Sequence, residues 1–415
     1  MPKGFVLLLL AQFASGLADN ALMILGIYFL QEQLFPAWWS PLLKFFFTLS
    51  YVLLAGFVGS IADAFAKGRL MAALNLLKLA GVLLLLSGAH PLLGFALVGL
   101  AAAVYAPAKY ALVTETVPPA LLVKANASLE VSVVLSVLLG VALGGWLTAW
   151  PGLSGWPFSG SVLAPTGAMA SIWVHTDLWP AFGVVCAIYG VSACLNLGLS
   201  AMDAQRPRQA LRWQSVQWSL FWQNNRQLWS DPLGGLSLKV TTLCWGVGAV
   251  LQFAVLAWAQ SSMGLSLQEG AYLQALVALG VIAGALVAAR AFQIFQARRA
   301  LPWAGVLALL LPCMALTTSW VWAVPMLVLA GFAGGLLLVP MNALLQHRGQ
   351  KILSSGRSIA VQGFNENLSV LLMLGVYSLL VAAQAPLLVV MGLMMLPLWL
   401  ALWPWRLKRR RRRRI

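Results

Sequence analysis

Asp19 stands near the middle of one long apolar run, 5–30, and Lys109 within another, 92–113, in a chain of 415 residues that is 61% hydrophobic and only 9% charged. A carboxylate or ammonium inside a lipid-spanning helix costs roughly 2.5–3.5 kcal/mol on insertion scales, so such groups face a cavity or a partner. Lys109 can neutralise a phosphate as a compact point charge. Asp19 can accept an ammonium or a coupling cation, and Asn20 can hydrogen-bond a polar head. Equally, Asp19 and Lys109 could form a salt bridge that only ties helices together, or Lys109 could snorkel to the interface.

Other polar groups lie at similar depth. Glu366, with Asn365 and Asn367, falls inside the run 359–382, while Lys124, Asn126 and Glu130 crowd the start of the run 127–150. Polar groups this dense in a lipid-spanning helix must find partners, so they either line a cavity or pin neighbouring helices. Asp63, Lys67 and Arg69 form a cluster just after the second apolar run, with Glu115 at the end of the fourth. Lys78, nine residues beyond Arg69, is expected to snorkel back to the surface.

The elements that position these groups follow from length and composition. A helix needs about twenty mostly apolar residues to cross the hydrocarbon layer, and twelve runs qualify: 5–30, 42–62, 70–88, 92–113, 127–150, 178–202, 240–260, 271–289, 301–320, 321–344, 359–382 and 387–405. The join at 320–324 carries almost no polar punctuation. The reading is an all-α polytopic membrane protein of twelve transmembrane helices. Lys and Arg concentrate after the even-numbered spans, which by the positive-inside rule places both termini in the cytoplasm. The first run follows Lys3 but holds Asp19 and Asn20 and lacks a small-residue cleavage site, so it reads as a retained helix rather than a signal peptide.

The net charge of +16 is therefore mostly topology signal plus the Arg-rich tail 406–415, and needs no nucleic-acid partner. Such a tail reads as an anchor to anionic membrane lipid, at about 1 kcal/mol per basic residue near the surface. Cys186, Cys194, Cys244 and Cys313 all fall inside spans and read as small core residues. His90, His175 and His347 are scattered, none has Asp five positions on, and no P-loop is present; neither catalysis, a metal nor a cofactor is expected.

The longest polar stretch, 203–239, divides the chain into six-helix halves, 1–202 and 240–405. Trp213, Trp218, Trp222 and Trp229 within it suit an amphipathic interfacial helix. The uncharged stretch 151–176 reads as an extracytoplasmic loop. The halves echo each other: residues 107–130 have a loose counterpart in 340–366, as expected of paired bundles around a midplane site.

Gly59-x-x-x-Asp63-x-x-x-Lys67-Gly68-Arg69 resembles the motif of major facilitator proteins between their second and third helices. More specific are Ala18-Asp19-Asn20-Ala21-Leu22, Tyr105-Ala-Pro-Ala-Lys109-Tyr110, Leu122-Val-Lys124-Ala-Asn126 with Glu130, Pro340-Met-Asn342, Ala360-Val-Gln362 and Asn365-Glu366-Asn367. Together they are similar to the bacterial lysophospholipid transporter family of the major facilitator superfamily, over nearly the whole chain.

The resemblance implies movement of lysophosphatidylethanolamine and lysophosphatidylglycerol across the inner membrane to its cytoplasmic leaflet. There an acyltransferase, served by an acyl-carrier-protein system, restores the missing chain. On this reading the head group is expected to meet Asp19, Asn20, Lys109, Tyr110, Gln252, Asn342, Glu366 and Asn367, and gating is expected of Asp63, Lys67, Arg69, Glu115, Lys124, Asn126 and Glu130. In that family a basic residue lies near the position of Gln252, which carries no charge here. A facilitator exporting drugs or other amphiphiles, an enzyme of lipid remodelling, and a membrane scaffold for the acyltransferase are the competing readings.

Overall fold

The computed structural model describes residues 3–32, 39–87, 90–148, 178–203, 217–265 and 267–412. The stretch read as a loop at 151–176, with His175, and Trp213 lie outside the described residues. Helix is the form a membrane core imposes, because each segment must satisfy its own backbone N–H and C=O groups where water is absent.

Fourteen α-helices follow in order: α1 (Lys3–Glu32), α2 (Trp39–Leu53), α3 (Ala55–Ala64), α4 (Lys67–Leu86), α5 (Pro91–Thr116), α6 (Leu122–Thr148), α7 (Trp179–Asp203), α8 (Trp218–Ser230), α9 (Gly234–Met263), α10 (Leu267–Ala291), α11 (Pro302–Ala315), α12 (Trp320–Ile352), α13 (Ser355–Ala382) and α14 (Leu387–Arg412). No strand occurs among the described residues. Among the described residues, ten continuous helical stretches are long and apolar enough to cross a membrane, and α2 with α3 passes the same test as a pair bent by 67°, which is an eleventh span if the pair crosses as one. The twelfth run corresponds to α14, whose apolar part is Leu387–Trp399.

Two details differ from the sequence reading. The run 42–62 is not one straight helix: it breaks at Leu54, and two residues on a Cβ at Gly56 would stand 3.2 Å from the Trp218 ring. The ninth and tenth spans separate before position 320, because α11 ends at Ala315 and α12 begins at Trp320. Trp258 Nε1 donates to the Thr317 carbonyl at 3.0 Å, supplying a partner where the helical ladder stops.

The chain forms two compact units. The first comprises Met1–Thr116, Leu135–Phe221 and Ser355–Ala360; the second comprises Val117–Val134, Trp222–Ser354 and Val361–Ile415. Within the first, α1 contributes Ala18, Leu22, Leu25 and Phe29 to a core completed by Val82 and Leu85 of α4, Phe95 and Val98 of α5, and Phe182, Val185 and Tyr189 of α7. Phe29 and Phe182 meet edge to face with centroids 6.3 Å apart.

Lipid is as apolar as the helix surfaces, so close backbone approach through small residues does much of the packing. In the second unit Gly280 and Gly284 of α10 meet the backbone of Val328 and Phe332, and Gly331 and Gly335 of α12 meet that of Val277 and Val281. These are two facing small-x-x-x-small stripes. In the first unit Gly140 and Gly144 of α6 let α1 approach at Leu17, Asn20 and Ala21. That contact seats the stretch of α1 that carries Asp19.

Candidate functional site

The first unit holds a polar network built by helical spacing. Gln12, Ser15 and Asp19 recur at intervals of three and four on α1, Asn75 and Lys78 at three on α4, and Tyr189, Ser192 and Asn196 at three and four on α7. Such intervals place side chains on one face of a helix, and the three stripes converge.

Lys78 Nζ donates to both Asp19 oxygens, Oδ1 at 2.8 Å and Oδ2 at 2.7 Å, and to Ser15 Oγ at 2.9 Å. The Tyr189 hydroxyl donates to Asp19 Oδ1 at 2.7 Å. Ser15 Oγ donates to Asn75 Oδ1, Asn75 Nδ2 to Ser192 Oγ, and Ser192 Oγ to the Ala11 carbonyl, at 2.9, 2.9 and 2.7 Å. Each serine hydroxyl accepts one bond and donates one, so the chain of dipoles from Lys78 through Ser15, Asn75 and Ser192 to the Ala11 carbonyl is continuous.

This corrects two expectations. Lys78 does not snorkel: its side chain is 1% exposed and closes on Asp19, which is 20% exposed. An ammonium this deep gains more from a buried carboxylate than its stem can recover by stretching for water. Nor does Asp19 pair with Lys109. Lys109 Nζ donates instead to Gln12 Oε1 at 3.1 Å and lies 4.6 Å from the Tyr110 ring centroid. Gln12 precedes Asp19 by two turns of α1, about 10 Å along the axis.

The remaining candidates of this unit divide. Asn20 turns back on its own helix, donating to the Gly16 carbonyl at 2.8 Å. Asp63 accepts from the Gly356 N–H at 2.8 Å, at the first turn of α13, where a carboxylate meets both an orphan donor and the positive end of the helix. A Cβ at Gly59 would sit 2.8 Å from Arg357 Cα, which is why the motif opens with glycine. Lys67 and Glu115 pair at 3.0 Å; the carboxylate offsets an ammonium at the start of α4, the unfavourable end for a cation. Arg69 is exposed.

In the second unit Gln362 Nε2 donates to Asn342 Oδ1 at 3.0 Å and to Glu366 Oε1 at 2.8 Å, which joins three of the polar positions of α12 and α13. Asn126 of α6 and Gln346 of α12 exchange a reciprocal amide pair at 2.8 and 2.9 Å. Asn367 bonds its own helix at the Gly363 carbonyl. Gln252 is exposed, and its backbone carbonyl, not its side chain, accepts from Gln274. Lys124 is exposed, and Glu130 is half-buried on α6.

Two features went unread in the sequence. The α7 stripe of Tyr189, Ser192 and Asn196 was visible in its spacing. Asp231 was not: it accepts from the N–H groups of Leu233 and Gly234, at 3.2 and 2.6 Å, and from both Nε and Nη2 of Arg348. The Arg348 guanidinium beside it, with those two N–H groups, holds its carboxyl below the usual value. α8 carries three of the four tryptophans, and Trp229 Nε1 donates to Asn365 Oδ1 at 3.1 Å while Trp222 stacks edge to face on Phe364.

Long apolar helices that hold ion pairs and amide networks define a polytopic helical membrane protein. Residues 8–372 match the model of the Major Facilitator Superfamily. Over 387 residues the chain is 36% identical to the Lysophospholipid transporter LplT of Yersinia pestis (strain Pestoides F), covering 93% of this chain and 89% of that protein. The same values hold for the protein of that name from Yersinia pseudotuberculosis (serotype I, strain IP32953). Among solved structures, a bacterial homologue of the iron transporter ferroportin in an outward-facing state superposes with a TM-score of 0.72 at 15% identity, covering 96% of this chain and 97% of that one. The human organic anion transporter MFSD10 gives 0.67 at 17% identity, covering 97% and 100%. The chain belongs to the Major Facilitator Superfamily and, within it, to the lysophospholipid transporter family.

Proposed function

We propose that this protein is a secondary transporter that moves lysophospholipids to the cytoplasmic leaflet of a bacterial inner membrane by alternating access. A separate acyltransferase with its acyl-carrier-protein system then reacylates them, and the chain itself performs no catalysis. The observation that carries the reading is 36% identity to proteins named lysophospholipid transporter over 93% of the chain. Lys109 supports it chemically: a buried ammonium within a span, it donates to Gln12 Oε1 and lies over the Tyr110 ring, and a compact cation of this kind can neutralise a phosphate.

Lys109, with Tyr110 beneath it, takes the phosphate, because a compact cation in a low-dielectric span attracts a phosphate more strongly than it would in water. Glu366, whose carboxylate accepts from the amide of Gln362, takes the head-group ammonium, with Asn342 fixing that amide. Asn20 and Asn367 are spent on their own helices. Asp63, Lys67, Glu115, Asn126 and Glu130 serve the gate. Both termini lie in the cytoplasm, as the placement of Lys and Arg requires, and the bundles 1–202 and 240–405 are the moving bodies.

Uptake of labelled lysophosphatidylethanolamine into vesicles tests this, with an unrelated lipophilic cation as the control substrate. Lys109→Gln is expected to lower uptake on the order of 10-fold or more, the value of one lost charge-assisted contact. Uptake of the cation in preference to the lipid would make the protein an exporter of amphiphiles instead. Unchanged lipid uptake in the variant would remove Lys109 from the site.

A further inference from the structure

Lys78 Nζ is surrounded by a receptor. Two carboxylate oxygens and one hydroxyl accept its three N–H donors, at 2.7 to 2.9 Å. The ring centroids of Tyr105 and Tyr189 lie 5.2 and 5.6 Å away. Three acceptors matched to three donors, with aromatic faces turned to the cation, is the chemistry that recognises a primary ammonium.

The receptor groups are positioned by bonds that do not involve the lysine. Tyr189 holds Asp19 Oδ1, Asn75 holds Ser15, and Ser192 ties Asn75 to the backbone of α1. Asn196 Nδ2 reaches the Tyr105 hydroxyl at 3.4 Å. A cage arranged in this way is preorganised for its ligand. Its ligand is the chain's own side chain.

We infer that this cage is an ammonium-binding site filled by a tethered cation, so that Lys78 stands where a free primary ammonium would otherwise neutralise Asp19. The consequence is that Asp19 is closed to such a ligand while Lys78 is present, and that removing the lysine side chain opens a site for a small primary ammonium. This holds whatever lipid the protein carries, so it stands or falls separately from the proposed substrate.

Purified full-length protein carrying Lys78→Ala is titrated with methylammonium chloride, with sodium chloride at equal ionic strength as the control, and thermal unfolding is followed by tryptophan fluorescence. Methylammonium is expected to raise the midpoint of Lys78→Ala by about 1–2 °C at tenfold excess over its dissociation constant. Wild type, whose cage is full, does not respond. The response disappears in Asp19→Asn/Lys78→Ala, which lacks the carboxylate. Should Lys78→Ala not accumulate as folded protein, Lys78→Thr, whose hydroxyl leaves Asp19 one donor, carries the same titration. No shift with methylammonium in a folded variant overturns the inference. An equal shift with sodium also overturns it, because only a point charge would then be required.

Discussion

Lys78 and Asp19 form an ion pair in which one ammonium reaches both oxygens of one carboxylate, at 2.8 and 2.7 Å, from neighbouring helices of the same unit. Breaking such a pair from one side leaves an uncompensated charge in low dielectric, at a cost of about 3–5 kcal/mol. Lys78→Met should therefore unfold well below wild type. Asp19→Asn/Lys78→Met, which leaves no charge behind, should recover most of the loss. Thermal midpoints of the two singles and the double, in one detergent, give the coupling directly; additive losses would mean that the pair contributes nothing as a pair.

Glu366 separates head groups if it takes the ammonium. Lysophosphatidylethanolamine carries that cation and lysophosphatidylglycerol does not, so Glu366→Gln should reduce uptake of the first by roughly 10-fold and leave the second within about twofold, the difference expected for one hydrogen bond to a charged group. The side chain keeps its length and can still meet Gln362, which guards against a packing effect. Equal loss for both lipids would make Glu366 a structural residue.

The span pattern was legible because lipid asks for one property only, an apolar run of sufficient length: every run is helical, with the run 42–62 divided between α2 and α3, and the last, in α14, has only a short apolar part. The bend at Leu54 was hidden, since the sequence around it stays apolar and the indole of Trp218 that occupies the space at Gly56 comes from far along the chain. Asp19 and Lys109 were found because a charge in oil is conspicuous. Their partners were not, because pairing across helices depends on how α1, α4, α5 and α7 rotate against one another. Lys78 was misjudged for that reason: nine residues from Arg69 is a short way along the chain, yet the helix carries it to a carboxylate two turns beyond Gln12. Gln252 shows the reverse case, a position flagged by family resemblance whose side chain is exposed here.

The glycine stripes make a packing prediction with an internal control. A side chain at Gly331 would enter the backbone of Val277 and Val281, whereas a Cβ at Gly334, three residues on, meets nothing within 4 Å. Gly331→Leu should force α10 and α12 apart and lower the yield of folded, monodisperse protein. Gly334→Ala should be neutral or stabilising by up to about 1 kcal/mol, the helix-propensity difference between the two residues. Size-exclusion profiles and melting of both variants decide it; a Gly334→Ala loss as large as that of Gly331→Leu would show that glycine itself, not the helix–helix contact, matters in α12.

Asp231 lies outside the spans, between α8 and α9, and its carboxyl is held below the ordinary value chiefly by the Arg348 guanidinium. A carboxylate whose folded value is depressed binds fewer protons than the unfolded chain in the window between the two values, so the stability it contributes is complete above the ordinary value, about 3.9, and is lost as pH falls through the depressed one. Asp231→Asn should therefore lower the thermal midpoint by a constant amount from neutral pH down to about pH 5. Below about pH 4 the wild-type advantage should shrink as its own carboxyl takes up a proton. Arg348→Lys should reproduce part of the neutral-pH loss, because an ammonium cannot present the paired donors that Nε and Nη2 offer to the two oxygens. A gap between wild type and Asp231→Asn that stays constant through the acid range would show that the carboxylate's charge is not what stabilises the fold there, whereas no gap even at neutral pH would show that Asp231 acts only by accepting the N–H groups of Leu233 and Gly234, which asparagine can also do.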